Sequence, residues 1–407
     1  MPTVGPENPH REGNPSNPHS TYRDRPSSGY TFACQPARLL RGVPDADTHT
    51  ARKQFTPPEP TDTTMRIRCT RSEAIQAFLG LAAFALLAGT ARADVLDDVK
   101  ANGVVKCGVT LAAPGFSAED NEGKRHGFDV DMCKAIAAAT LGDATKIQLI
   151  PMDLKTAFAG LPAGAVDVLT HRFTWTQSRD VGGLKFARIM FYDGQGFAVT
   201  KKSRANKISD LNNATICTAQ GATSELIVAD YFRAHKLKYK IVTFSSQELA
   251  WDAFVGKRCD AAINDRSGLA ARLSKLPNRD DFKVLAETVS NEPIGPIVAQ
   301  GQPRWEDVVR FTLNALIAAE ELGVTQANVD EQRQSQSPDV QRLLGVTGDL
   351  GVKLGLSSDW AYKAIKAVGN YGDIWERNLG PKTPLHLDRG RNALVANGGL
   401  MMSIPVR

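Results

Sequence analysis

The sequence predicts an α/β protein with two lobes, each a mostly parallel sheet covered by helices. From residue 104 onward, short apolar runs alternate with helical segments, as expected when crossover helices join parallel strands. The alternation restarts near residue 191, and two apolar stretches can carry the chain into a second lobe and back. The 407 residues suffice for two domains. Their composition, 42% hydrophobic and 23% charged, is ordinary for globular proteins and does not separate an enzyme from a binding protein.

The first 93 residues are predicted to lie outside these lobes. Residues 1–64 hold 11 of the 22 prolines and show no helical or strand periodicity, so we interpret them as a disordered or untranslated extension. Residues 65–93 combine a basic start at Met65, an uncharged and mostly apolar run, and a final A-x-A sequence. This is the layout of a signal peptide cleaved after Ala93. The apolar run is shorter than the ~20 residues of a membrane span.

The charge of the chain depends partly on this N-terminal region. Residues 1–93 contain 11 of the 49 Lys and Arg and 8 of the 44 Asp and Glu. Residues 94–407 therefore carry 38 Lys and Arg and 36 Asp and Glu, which gives a net charge of +2, whereas the whole chain has +5. No basic and aromatic stripe follows, so we expect no nucleic-acid partner. No second long hydrophobic stretch occurs either. The mature chain is therefore predicted to be exported and soluble outside the cytoplasmic membrane.

The first lobe begins as an alternating series of strands and helices. The loop Leu111–Ser117, which contains Phe116, follows the first strand, and the polar stretch Thr170–Arg179 follows the third. Ligands bind off the carboxyl ends of the strands in such sheets, and both loops lie there. The predicted elements are strands 104–110, 147–151 and 166–169, and helices 132–139 and 155–161.

The second lobe repeats the pattern between two crossings. Residues 191–200 predict a long strand leading into it, and residues 293–299 predict a strand leading back, so that the two crossings form a hinge. Helix 305–322 and the amphipathic helices after residue 345 are expected to pack on the first lobe. The predicted lobes are 94–195 with 296–407, and 196–295. The predicted elements of the second lobe are strands 214–218, 259–265 and 283–287, a helix from 224 and a helix over 247–255.

Four cysteines lie beyond the signal segment, and an even number in an exported protein favours disulfides over a metal site. Cys107 lies on the first strand and Cys133 on the helix after it, whereas Cys217 and Cys259 each flank a strand of the second lobe. We therefore predict the pairs Cys107–Cys133 and Cys217–Cys259, although four cysteines allow three pairings.

Three features predict a site for a small zwitterion. Arg179, with the Thr174 hydroxyl, offers a carboxylate a planar fork of donors. The loop at Gly221 and Thr223 enters a helix, whose first N–H groups favour an anion. Asp265 ends a strand and could pair with an ammonium. Each feature has a plainer interpretation as a helix cap, a turn acid or a surface ion pair. Together they match the charged ends of an α-amino acid, which can be buried only if each has a partner of opposite sign.

Other chemistry finds no support in the pattern. The mature chain has no G-x-S-x-G, H-E-x-x-H or P-loop motif, and its histidines are scattered. We expect no catalytic residues, no metal and no cofactor.

Six motifs within residues 94–407 resemble the general L-amino-acid-binding proteins of bacterial ABC importers, within the family 3 solute-binding proteins. In combination they are far more specific than any one alone. They are Gly127-Phe-Asp-Val-Asp131, Thr174-Trp-Thr-Gln-Ser-Arg179, Asp193-Gly-Gln-Gly-Phe197, Gln220-Gly-Ala-Thr223, Gly256-Lys-Arg-Cys-Asp260 and Gly369-Asn-Tyr-Gly372.

The resemblance implies a type II periplasmic-binding-protein fold with a two-strand hinge. It also implies a periplasmic receptor, monomeric, that closes on an L-amino acid and delivers it to the permease subunits of the importer. By position, Arg179 and Thr174 would take the α-carboxylate with the help of Thr223 and Gly221, and Asp265 would take the α-ammonium. Phe116 and Leu154 would complete the ligand-binding set.

The chain also departs from the family pattern. Arg172 and Phe173 stand where small polar residues are more common, and Leu154 stands at an aromatic position. Arg172 is therefore either a contact that favours an acidic or amide side chain or a residue that points away. Two other functions remain open: a periplasmic dehydratase-like enzyme, with Asp265 or Glu225 as general acid, and a sensor subunit that presents bound ligand to a receptor.

Overall fold

The computed structural model describes residues 94–407. The predicted extension (1–64) and signal peptide (65–93) lie outside the described residues. From residue 94 to residue 190, strands and helices alternate as the sequence predicts. In chain order they are α1 (Val95–Asn102), β1 (Val105–Thr110), β2 (Ala118–Glu119), β3 (Arg125–His126), α2 (Phe128–Leu141), β4 (Ile147–Met152), α3 (Leu154–Ala163), β5 (Val168–Leu169), α4 (Gln177–Val181) and β6 (Leu184–Phe186).

The middle of the chain repeats this alternation, and the last third is helical. The elements are β7 (Phe191–Asp193), β8 (Gln195–Thr200), β9 (Ala214–Ala219), α5 (Thr223–Ala234), β10 (Tyr239–Phe244), α6 (Gln247–Val255), β11 (Ala261–Asp265), α7 (Arg266–Leu273), β12 (Phe282–Val284), β13 (Glu292–Ile294), β14 (Ile297–Ala299), α8 (Pro303–Glu321), α9 (Val329–Gln332), α10 (Pro338–Leu343), α11 (Leu350–Lys353), α12 (Trp360–Val368) and α13 (Tyr371–Asn378). Short 3₁₀ turns cover Ile208–Leu211, Arg279–Asp281, Gly390–Asn392 and Val395–Asn397.

The strands form two five-stranded sheets of matching layout, which confirms the predicted fold class. The first has the order β4-β1-β5-β14-β6 and the second β10-β9-β11-β8-β12. In each sheet the first three strands are parallel, and the fourth, which comes from a crossing segment, is antiparallel to both neighbours. Buried apolar side chains cover both faces of each sheet. The carboxyl ends of the parallel strands are thereby left for polar loops.

The two crossings are each broken into two strands, where the sequence predicts continuous ones. The breaks fall at Gly194 and Gly295. A Cβ atom on Gly194 would lie 2.7 Å from the Ser290 carbonyl oxygen, and one on Gly295 would lie 1.9 Å from the Arg188 carbonyl oxygen. The segments on one side of the breaks, β7 and β13, pair antiparallel as a separate two-stranded ribbon. This ribbon joins the two sheets.

The C-terminal helices pack on the first sheet, as predicted. Helix α12 lies against α2, and Trp305, Tyr371 and Trp375 are among the largest fully buried side chains of this core. The chain after α13 then runs back to the ribbon. There Asn392 accepts a hydrogen bond from the Tyr192 backbone N–H (2.7 Å) and donates one to the Tyr192 carbonyl oxygen (3.0 Å).

Both predicted disulfides are present, one in each sheet region. Cys107 of β1 is bonded to Cys133 of α2, and Cys217 of β9 is bonded to Cys259, just before β11. Each bond therefore ties a central strand to a neighbouring segment. Within residues 94–407, no helix combines the length and apolar character needed to cross a membrane.

Candidate ligand-binding cleft

The carboxyl ends of the two sheets face each other across a cavity of about 120 Å³. Its walls come from the loops after β1, β4 and β5 on one side and after β9, β10 and β11 on the other. This is the place where sheets of this kind bind ligands. Six of the residues selected from the sequence line it, namely Leu154, Arg172, Thr174, Arg179, Thr223 and Asp265.

Arg179 is a half-buried cation with no carboxylate within 4.0 Å among the described residues. Its backbone N–H is capped by the Thr176 hydroxyl (3.2 Å), and its Nη1 donates to the Thr174 carbonyl oxygen (2.9 Å). The rings of Phe158 and Phe173 lie 5.1 and 5.9 Å from the guanidinium carbon. Partial burial lowers the pKa of Arg179, which shows that desolvation works against the charged form. The charges of Asp265 and Glu292 oppose this effect, and a ligand anion would add a countercharge in direct contact.

One buried carboxylate, which lies on the ribbon, binds the hydroxyls of both Thr174 and Thr223. Glu292 on β13 accepts a hydrogen bond from the Thr174 hydroxyl (2.5 Å) and another from the Thr223 hydroxyl (3.3 Å). Thr223 also accepts one from Gln195 Nε2 (2.8 Å). Because a hydroxyl has a single hydrogen, both threonines present lone pairs to the cavity while these bonds persist.

Asp265 faces this group from the end of β11. It precedes α7, yet its side chain makes no capping hydrogen bond, which rules out the plain cap interpretation. Its Oδ2 lies 3.4 Å from Arg172 Nη2. Burial, with the nearby Asp193 charge, raises the pKa of Asp265 to about 8. An ammonium bound here would favour the ionised form.

Five polar atoms of the cavity wall are buried and have no hydrogen-bond partner within residues 94–407. They are Thr110 Oγ1, His171 Nδ1, Arg172 Nε, Gln195 Oε1 and Ser224 Oγ. A buried polar atom without a partner costs about 1–3 kcal/mol. These atoms are therefore available to hydrogen-bond a polar ligand that enters the cleft.

The protonation of His171 can be assigned from its surroundings. Its Nε2 lies 3.1 Å from the Met152 carbonyl oxygen, which can only accept, so Nε2 carries the hydrogen and Nδ1 is an acceptor. Burial lowers the pKa of His171 to about 3, so the ring is neutral at physiological pH. It stacks on Phe173 with 3.7 Å between ring centroids. His171 therefore offers the cavity a neutral acceptor.

The remaining candidates lie at or behind the wall. Leu154 approaches Gly221 from the opposite side of the cleft, since a Cβ atom built on Gly221 would lie 3.2 Å from Leu154 Cδ2. Phe116 is 1% exposed and does not line the cavity; its ring lies under the Arg172 guanidinium, 4.4 Å from centroid to carbon. Glu225 accepts a hydrogen bond from the Gly221 N–H (2.7 Å) and also stays outside the wall.

Several polar residues at the cleft were not selected from the sequence. Glu292 and Asp193 lie on the two ribbon strands, and Gln195 begins β8. An acidic residue at the start of an apolar strand, as in Glu292-Pro293-Ile294, is a pattern that could have identified Glu292 as a site residue. His171 had only its position beside Arg172 to mark it.

Nothing in the described part of the chain favours metal chemistry. Within residues 94–407, no three His, Cys, Asp or Glu side chains are arranged so that they could hold a metal ion.

Comparison with known proteins gives one consistent result. Residues 105–328 match the model of the bacterial extracellular solute-binding proteins, family 3. The general L-amino acid-binding periplasmic protein AapJ of Rhizobium johnstonii is 45% identical over 340 residues, 83% of this chain and 100% of its own. The glutamate/glutamine/aspartate/asparagine-binding protein BztA of Rhodobacter capsulatus is 45% identical over 334 residues, 81% of this chain and 99% of its own.

A solved structure is similar over most of the described residues. It is an ABC transporter periplasmic binding protein from Brucella ovis with glutathione bound, 48% identical, with a TM-score of 0.76. The similarity covers 78% of this chain and 100% of that one. All three relatives carry the names of binding proteins, not of enzymes.

Proposed function

The chain belongs to the bacterial extracellular solute-binding proteins of family 3, and from this premise we propose that it is the substrate-binding component of an ABC-type amino-acid importer. It captures an L-amino acid in the cleft and delivers it to the permease subunits in the membrane. The relatives named above support this proposal through their near-complete coverage and their names. The same names support a periplasmic location and a binding protein rather than an enzyme.

One observation carries the proposal: a cation with no carboxylate within 4.0 Å among residues 94–407, and a carboxylate, face the same cavity from opposite sheets. Arg179 comes from the first and Asp265 from the second, and residues with buried polar atoms that lack a partner within residues 94–407 line the same cavity. An α-amino acid supplies the opposite charge to each and can hydrogen-bond several of these polar atoms. In this proposal the α-carboxylate lies at Arg179 and the N-terminus of α5, and the α-ammonium lies at Asp265.

The threonines have a more specific part in this proposal than a simple donor role. Their hydroxyl hydrogens point to Glu292, so a hydrogen bond from Thr174 or Thr223 to the carboxylate would require the hydroxyl to turn away from Glu292. Without that rotation they accept from the ammonium end or simply pack against the ligand. Gly221 and Leu154 would close the mouth of the cleft.

We further propose that two lobes, residues 94–195 with 296–407 and residues 196–295, close on the ligand about the β7–β13 ribbon. The glycine breaks support this hinge, because they separate the ribbon from both sheets. The protein would act as a monomer without cofactor, metal or nucleic acid, after removal of the signal peptide at Ala93.

A ligand screen and one substitution test the function and the anchor. We expect the melting temperature of the mature protein to rise with at least one common L-amino acid, since a ligand at 100 times its Kd adds ~2.7 kcal/mol. Arg179→Ala should then weaken binding by a factor of tens to thousands, because losing a charge-paired contact costs ~2–5 kcal/mol. The matched control is Arg233→Ala, an exposed arginine of α5.

Calorimetry with the amino acid found in the screen measures both variants. No thermal shift with any amino acid would contradict the proposed function. Wild-type affinity in Arg179→Ala would leave the function in place and remove the carboxylate anchor.

A further inference from the structure

Arg172 crosses the cleft instead of pointing along it. It follows β5, yet its Nη2 donates to the hydroxyl of Ser267 on α7 (2.8 Å) and lies 3.4 Å from Asp265 Oδ2. Asp193 Oδ2 of the ribbon lies 3.9 Å away. The Arg172 side chain is 9% exposed. One guanidinium thus contacts the second sheet region and the ribbon together.

On the opposite wall of the cleft, Gly268 and Ser267 of α7 form a receptacle for this guanidinium. Gly268 lies within α7, where a glycine costs about 1 kcal/mol relative to alanine. A Cβ atom there would lie 3.1 Å from Arg172 Nη2, closer than side chains normally approach. Ser267 completes the receptacle, because its hydroxyl accepts from Arg172 and donates to Asp193. From the other side, Phe116 supports the guanidinium face at 4.4 Å.

From this geometry we infer that Arg172 is a positioning residue, which fixes the Asp265 carboxylate for the ligand ammonium and does not read the ligand side chain. The inference rests on the proposed function, since it assigns Arg172 a part in the same site. It differs from both roles that the sequence leaves open for Arg172, a contact with the ligand side chain and a residue that points away.

A positioning role predicts how the loss of Arg172 changes the affinities for different amino acids. Every α-amino acid presents the same ammonium to Asp265, so loss of Arg172 weakens all of them by one common factor. A side-chain contact would instead weaken acidic or amide ligands and spare alanine. The ratios of the dissociation constants among ligands therefore separate the two roles.

The charges facing Asp265 predict a second readout. Arg172 and Arg179 approach it from the first sheet region, and Asp193 and Glu292 approach it from the ribbon. The two cations favour the ionised carboxyl and the two acids oppose it. Removing Arg172 leaves Asp265 with one cation against two acids, so its pKa rises and binding requires a higher pH.

The experiment compares three variants by calorimetry with L-glutamate, L-glutamine and L-alanine, using those that bind the wild type, between pH 6 and 9. Arg172→Gln should raise every Kd by about tenfold or more at pH 7. A loss of this size corresponds to the free energy of one hydrogen bond to a charged group. Its affinity should approach the wild-type value as the pH rises. Ser267→Ala, which removes only the receptacle, should act in the same direction by a smaller factor. Arg304→Gln, an exposed arginine paired with Asp97, should change nothing.

Each outcome has one meaning. A change in the Kd ratios among the three ligands would overturn the inference in favour of side-chain recognition. An unchanged pH profile in Arg172→Gln, or unchanged affinity in both Arg172→Gln and Ser267→Ala, would also overturn it. Failure of the wild type to bind any amino acid is a different result, because it contradicts the proposed function itself. Should Arg172→Gln fold poorly, Ser267→Ala still decides between a uniform and a selective effect.

Discussion

Two buried aspartates on helix α2 differ in their hydrogen-bond partners. Asp131 on α2 accepts hydrogen bonds from Arg377 Nη2 (2.7 Å) and Asn378 Nδ2 (2.8 Å). Asp129, two residues earlier, is 2% exposed, and its Oδ2 has no hydrogen-bond partner in the described part of the chain. Burial raises the pKa of Asp129 to about 7, although the charge of Arg172 opposes the shift. The two side chains lie on the same helix but have different surroundings.

This contrast predicts how stability depends on pH. Between about pH 4 and pH 7 the folded protein keeps a proton on Asp129 that the unfolded chain has lost, so this contribution to stability falls as the pH rises. Asp129→Asn imitates the protonated carboxyl and should raise the free energy of unfolding at pH 8 by a few kcal/mol, with little effect near pH 4. Urea unfolding at both pH values measures this.

The matched control is Asp131→Asn, which should destabilise the protein at pH 8 because it weakens the interaction with Arg377. An Asp129→Asn variant that is destabilised equally at both pH values would show that Asp129 is ionised and paired in the folded protein.

At the scale of elements, the ribbon positions several side chains of the cleft. Its strand β13 carries Glu292, and the Trp175 N–H donates to the Pro293 carbonyl oxygen (2.7 Å), which brings the Thr174 loop against it. Its strand β7 carries Asp193. The C-terminal segment stabilises β7 from outside through Asn392, whose amide binds the Tyr192 backbone as a neighbouring strand would.

The contact of Asn392 with β7 gives the element-scale prediction. Asn392→Ala removes both partners of the Tyr192 backbone and should lower the free energy of unfolding by about 1–3 kcal/mol. Asn397→Ala, an exposed residue of the next turn, is the control and should change it by less than about 0.5 kcal/mol. Chemical denaturation measures both variants. Equal stability in the two variants would mean that water replaces the amide without cost.

For the molecule as a whole, the two disulfides distribute the stabilisation over both sheets. The bonds span 26 and 42 residues of chain, so the loop-closure model assigns each about 3–4 kcal/mol. Each ties together two segments of a single sheet region.

Removing one bond at a time should therefore produce two different partly destabilised proteins. Cys217→Ala with Cys259→Ala should weaken the second sheet region and split the calorimetric transition, with that region unfolding first. Cys107→Ala with Cys133→Ala should instead lower the stability of the first sheet region, which has the larger core. Differential scanning calorimetry measures both. One sharp transition shared by both double variants would mean that the two regions unfold only together.

The sequence by itself determined the architecture and the identity of the charged candidates. Alternating strands and helices and the two crossings are local or topological features, which apolar periodicity and turn residues encode directly. The cysteine pairs were predicted from the places of the cysteines on these elements, as one of three possible pairings. The same holds for placing Arg179, Thr174, Thr223 and Asp265 at strand ends, because strand ends of one sheet share an edge.

The tertiary structure alone decided which groups meet across that edge. The glycine breaks at Gly194 and Gly295 follow from close approaches of distant backbone, and no periodicity reveals those. Glu292 reaches Thr174 and Thr223 only because β13 passes between the sheets, and Phe116 proved to lie behind Arg172, not on the cavity wall. The direction of a long side chain such as Arg172 depends on partners nearly a hundred residues away, Asp265 and Ser267, and these are adjacent only in the folded protein.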